Sequence, residues 1–177
     1  SVSNHVHGEV LIYRNSSNLN KNTPPDAILK GPVCPHGVRF SPDGKRLLVA
    51  DAASQYLHVY DCEDGDWSKI KNPARAINML DEEVFYTGRY TTREGGIKGI
   101  DTDNSGSLLV STHEKQVIGF YNLNSINETD TGADSNEMEE LRRQRDISLN
   151  RHDKDVLNKH WTLSSRVKGL LENKYLH

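Results

Sequence analysis

Few residues in this chain have the types and spacing to do chemistry. His5-Val6-His7 puts two imidazoles on one face of a strand, which holds a metal once a third ligand arrives. At the start of the sequence it reads as a surface pair. Asp101-Thr102-Asp103-Asn104-Ser105-Gly106 imitates a calcium loop, with oxygens at the first, third and fifth positions and Gly at the sixth. Thr112 stands where the bidentate Glu of such a loop belongs, so the segment reads as a turn. Asp61-Cys62-Glu63-Asp64-Gly65-Asp66 reads as a solvated acidic hairpin loop. His36 is the remaining imidazole of interest, and as a ligand it would suit a softer cation than calcium. No cofactor is expected, and a divalent metal enters only if His36 ligates it. There is no Gly-Lys-Ser phosphate loop, no nucleophile elbow and no Cys-x-x-Cys pair.

The elements around His36 are read from the turn chemistry. Pro35-His36-Gly37-Val38-Arg39-Phe40 is a strand, Ser41-Pro42-Asp43-Gly44 a tight turn, and Arg46-Leu47-Leu48-Val49-Ala50-Asp51 a second strand ending on an acid. Pro pre-sets φ at the turn entry, Asp caps the turn with its own side chain, and Gly takes the positive φ. Leu57-His58-Val59-Tyr60-Asp61 is a third strand, and Ala74 to Met79 a fourth. The meander recurs. Tyr121-Asn122 repeats Tyr60-Asp61 at an offset of about 61 residues, which lays Leu108-Leu109-Val110 on Leu47-Leu48-Val49. Val10-Leu11-Ile12-Tyr13-Arg14 repeats the third strand at about 47 residues upstream.

The pattern Pro35-His36-Gly37, Phe40-Ser41-Pro42-Asp43-Gly44-Lys45, Leu48-Val49-Ala50-Asp51 and Val59-Tyr60 resembles a blade of the lactonase-like and YVTN-repeat β-propellers. The likeness covers about residues 8–122 and includes the 6-phosphogluconolactonase type and, more loosely, the gluconolactonase/regucalcin family. It specifies a blade better than a function, because unrelated functions share the fold. In the gluconolactonase type, inner strands begin with Asn-Gly and supply ligands to a metal over the channel. Here His36-Gly37 stands in that place, and Gly96 falls where the next blade's Asp belongs, so that metal site is not expected. The closer likeness, to the phosphogluconolactonase type, implies His36 and Asp51 as catalytic candidates that activate water against a lactone carbonyl. Arg39, Arg89 and Lys98 are then the ligand-binding candidates, the two arginines for a phosphate. The repeat carries Gly95-Gly96-Ile97-Lys98 where a second polar residue would face the channel. The expected function is therefore a propeller segment acting as a binding and assembly platform. The alternative is part of a lactonase-like hydrolase acting on a sugar lactone, its remaining catalytic residues outside this chain.

At 177 residues the expected fold is mainly β: a partial propeller of two full four-stranded antiparallel blades plus the outer strands of a third, with an α-helical C-terminal tail. Blades occupy 1–123, a linker rich in Asn, Asp, Thr and Gly runs over 124–136, and the tail is 137–177. Glu82 to Arg93, with its Val84-Phe85-Tyr86 run, reads as an insertion or an extra strand pair. In the tail, Glu137, Glu139 and Glu140 precede Arg142, Arg143 and Arg145, the order a helix dipole favours, with Glu139 four residues from Arg143. Asp155 to Leu176 has the spacing of an amphipathic helix. An arc of blades exposes edges, so the sequence is expected to be the C-terminal part of a longer propeller. Its partner is the remainder of that propeller, an upstream segment or another copy. Hydrophobic residues make up 34%, below the roughly 45–50% of ordinary domains. A net charge of −3 implies no nucleic-acid partner, and no apolar run approaches the roughly 18 residues of a membrane span. Cys34 and Cys62 read as two separate thiols.

Overall fold

A computed structural model describes residues 2–4, 7–111, 113, 118–123 and 136–150. The chain forms three antiparallel sheets. The first contains β1 (Val2–Asn4), β2 (Glu9–Ile12) and β3 (Ala27–Leu29), in that order. The second is a four-stranded meander of β4 (Pro35–Phe40), β5 (Arg46–Asp51), β6 (Tyr56–Asp61) and β7 (Arg75–Asn78). The third contains β8 (Ile100–Thr102), β9 (Leu108–Ser111) and β10 (Gly119–Asn122). Where the repeat led to two four-stranded units, the described residues form one, and the Gly99–Asn122 meander contributes three strands.

The β4–β5 turn forms by the chemistry its sequence carries. Asp43 accepts from the Ser41 hydroxyl at 2.6 Å and the Lys45 amide at 3.0 Å, and Gly44 takes φ +71°. Its counterpart between β8 and β9 closes the same way. Asp103 accepts from the Ser105 hydroxyl at 2.7 Å and the Ser107 amide at 3.0 Å, and Gly106 also sits at φ +71°. The calcium-like segment is thus a turn whose Asp103 serves its own backbone.

Strand β5 is buried on both faces, which is why Leu47 to Ala50 is a continuous apolar run rather than an alternating one. Leu47 and Val49 pack with Tyr60 against Val10, Ile12 and Leu29 of the first sheet. Leu48 and Ala50 point the other way, into a core with Leu57, Val59, Ile77 and Leu109 of the third sheet. The middle sheet is sandwiched between its neighbours.

Two segments depart from the sequence reading. Val84-Phe85-Tyr86 lies in a helix, α1 (Glu82–Gly88), and not in a strand pair. Glu82 and Glu83 occupy its first turn, where the helix dipole favours acids, and Phe85 is fully buried on its inner side. A strong local β-preference is overridden by one buried anchor. His7 stands in the β1–β2 turn rather than in a strand, and its partner His5 lies outside the described residues.

Residues 136–150 form a helix, α2, in agreement with the helical reading of Glu137 to Arg145. Met138 and Leu141 enter the same core as Leu48 and Phe85. Arg142 and Arg145 donate to the carbonyls of Gly31 and Val33, each at 2.6 Å. On the outer face Arg143 pairs with Glu140, three residues back, at 2.7 Å. The Asp155 to Leu176 helix, with Trp161, lies outside the described residues. Replacing Leu141 by Ala removes a buried side chain from a shared core. It is expected to cost about 2–5 kcal/mol in urea unfolding. Arg143→Ala on the exposed face should change stability by no more than about 0.5 kcal/mol. Equal effects of the two would mean that α2 does not dock in solution.

Candidate functional site

A buried turn, residues 52–55, joins β5 to β6. Such a turn must satisfy its backbone polar groups without water. Asp51 does much of this. Its carboxylate is fully buried and accepts from the Val33 amide at 2.7 Å, the Cys34 amide at 2.8 Å and the Ala53 amide at 3.1 Å. It also accepts from the Ser54 hydroxyl at 2.7 Å, and the His58 ring nitrogen Nε2 lies 3.3 Å away. Burial pushes the Asp51 carboxyl up. The hydrogen bond and charge of His58, with the Val33 and Cys34 amides, outweigh that and hold it below its ordinary value.

The same turn fixes the wall opposite. Gly96 donates to the Ala52 carbonyl at 2.9 Å. A Cβ there would stand 2.0 Å from the Asp51 carbonyl and 2.1 Å from that of Ser54, so no other residue fits. The glycine that takes the place of an expected Asp is therefore a close-approach residue. Gly37 plays the same part between β4 and β8, where a Cβ would meet the Lys98 carbonyl at 2.4 Å.

Between these walls lies a cleft of about 350 Å³, lined by Cys34, His36, Ala52, Thr91, Arg93, Glu94 and Lys98. His36 is exposed at its edge. The Lys98 ammonium stands 3.7 Å from Glu94, and Thr91 donates to Glu94 at 3.3 Å. Burial first, and the Asp51 charge second, push the Cys34 thiol up to about 11, while Arg93, Arg145 and Lys98 pull it down. Cys34 is thus a neutral floor at ordinary pH. Neither it nor Cys62 is in a disulfide, and the two sit in different cores.

The five candidate residues are only partly brought together. His36 and Lys98 share the cleft. Asp51 lies buried behind it with its oxygens already engaged. Arg39 points to the surface and pairs with Asp101 at 2.9 Å, tying β4 to β8. Arg89 faces α2: it donates to Gln144 at 2.9 Å and lies 5.5 Å from the Phe85 ring centre. In their place the fold supplies Arg93, Thr91 and Glu94 from the loop between α1 and β8. In the sequence Glu82 to Arg93 reads as an insertion or an extra strand pair, which gives Thr91, Arg93 and the adjoining Glu94 no ligand role. Among the described residues no three His, Cys, Asp or Glu side chains gather to hold a metal.

Neither a protein-family model nor a curated protein matches this chain. Among the described residues, no helix is long and apolar enough to cross a membrane.

Asp51→Asn keeps the shape and removes the charge. It is expected to lower stability by about 3–5 kcal/mol, because the donors around it stay buried. A depressed carboxyl stabilises the fold above its ordinary value of 3.8, and that stability is lost as pH falls through the lower folded value. Urea midpoints of the native chain should therefore drop on acidification below the ordinary value. Asp51→Asn should lose that part of the acid limb. An unchanged limb would show that Asp51 is not the group responsible.

Proposed function

We propose that this chain is a segment of a β-propeller that acts as a binding and assembly platform, its flanking sheets completed by strands from the remainder of the propeller. The observation that carries this reading is the outer strand of the third sheet. Among the described residues β10 pairs only with β9, whereas the equivalent strand of the middle sheet, β6, pairs on both sides. Beside it Ile118 and Phe120 are 56% and 69% exposed. A groove of about 730 Å³ runs between β10 and the segment from Asn78, the last residue of β7, to Asp81. An outer strand next to exposed apolar side chains is a template for a further strand. Side-by-side packing of three sheets, with β4 touching both β1 and β8, supports the propeller reading.

When this chain is alone in solution, a second copy is expected to supply the added strand. Light scattering is expected to give a mass that rises with concentration, and Phe120→Asp is expected to return the monomer. A monomer at every concentration, with β10 amides exchanging as slowly as those of β6, would end the platform reading.

A second reading, part of a lactonase-like hydrolase acting on a sugar lactone, draws support from His36 and Lys98 sharing one cleft. In that case the longer protein should hydrolyse a sugar lactone, and His36→Ala should abolish it. Activity that survives His36→Ala would remove His36 from the chemistry.

A further inference from the structure

We infer that the cleft between the turn at 52–55 and the loop at 91–98 is a binding site for an oxyanion, the carboxylate or phosphate of a small molecule, with Arg93 as its principal ligand. Arg93 is partly buried and lines the cleft. Among the described residues its guanidinium has no hydrogen-bonding or ion-pairing partner, whereas Arg39, Arg75, Arg89, Arg142 and Arg145 are each engaged. A guanidinium in a concave, partly desolvated place presents a fork that matches two oxygens of one oxyanion.

The surroundings favour the same charge. Lys98 and His36 line the cleft with Arg93, and among the described residues Glu94 is its single acid. Glu94 is already turned to Lys98 and to the Thr91 hydroxyl. Arg93 and Lys98 both line the cleft whose floor is Cys34, and both charges pull that thiol down.

The loop is also held in place before any ligand arrives. The Gly96 amide bonds to Ala52, the His113 ring lies 2.7 Å from the Gly95 carbonyl, and the Arg93 amide donates to Thr91 at 3.3 Å. A cation on a pinned loop loses little freedom when it binds, which favours affinity. This site stands whether or not the flanking sheets are completed by further chain, and no bond is made or broken in it.

Inorganic phosphate and, separately, acetate titrated into the full chain at low salt test it, read by calorimetry and by the shift in melting temperature. Saturable binding that weakens as salt rises is expected with at least one of the two, and their relative strength tells phosphate from carboxylate. Arg93→Ala should weaken it about tenfold or more, while Arg14→Ala, which removes an exposed arginine paired with Asp66, should leave it unchanged. If Arg93→Ala fails to fold, Lys98→Gln carries the comparison and should weaken binding severalfold. No saturable binding of either ion, or equal weakening by Arg14→Ala, would overturn the assignment.

Discussion

The structure depends on one buried carboxylate. Asp51 ends β5 at the point where the chain turns inside the protein rather than at its surface, and a turn there has amides that water cannot reach. Its oxygens collect amides from the turn itself and from Val33 and Cys34, which lead into β4. One side chain thus sets the corner of the middle sheet and the direction from which its first strand enters. Everything in the candidate site is measured from that corner. Cys34 and Ala52 line the cleft, and Gly96 packs on the turn so closely that no Cβ fits.

The burial of that turn follows from what covers it. The segment Gly95–Ile97 lies on one part, and α2 covers more: Glu137 accepts from Gln55 at 3.3 Å and from the Tyr56 hydroxyl at 3.1 Å. Further along, Arg142 and Arg145 bond the carbonyls of Gly31 and Val33. Helix α2 is therefore part of the same polar network as Asp51, reached from the opposite side of the Val33–Cys34 peptide. Breaking either contact exposes groups that the other arranges, and such networks are more than the sum of their pairs.

Much of the local structure was legible in the residues. Ser41-Pro42-Asp43-Gly44 carries its turn in its own side chains, and the same logic held at Asp103 to Gly106. The run Leu47 to Ala50 reads as a strand, and the structure buries it on both faces. The order of acids and bases from Glu137 to Arg145 announces a helix. These features rest on interactions within a few residues, so a sequence displays them directly. For Glu82–Gly88 the residues leave an insertion and a strand pair both open, because Val84-Phe85-Tyr86 suits a strand equally well, and the structure forms a helix there. Its outcome was settled by where Phe85 could be buried.

Local residue order is enough for the turns at Ser41–Gly44 and Asp103–Gly106 and for the repeat of the meander around them, whereas the role of Asp51 in closing the buried corner comes from the fold. Which charged residues meet was decided only by the tertiary structure. Arg39 and Arg89 look like ligand-binding residues in one dimension, yet Asp101 and Gln144, each more than fifty positions away, occupy them. Arg93 looks like an ordinary loop residue, yet the close approach of Gly96 to the 52–55 turn brings it into a cleft with Lys98 and His36. The reason is physical: a turn is specified by neighbours along the chain, whereas the partner of a long charged side chain is specified by which distant backbones pack against each other.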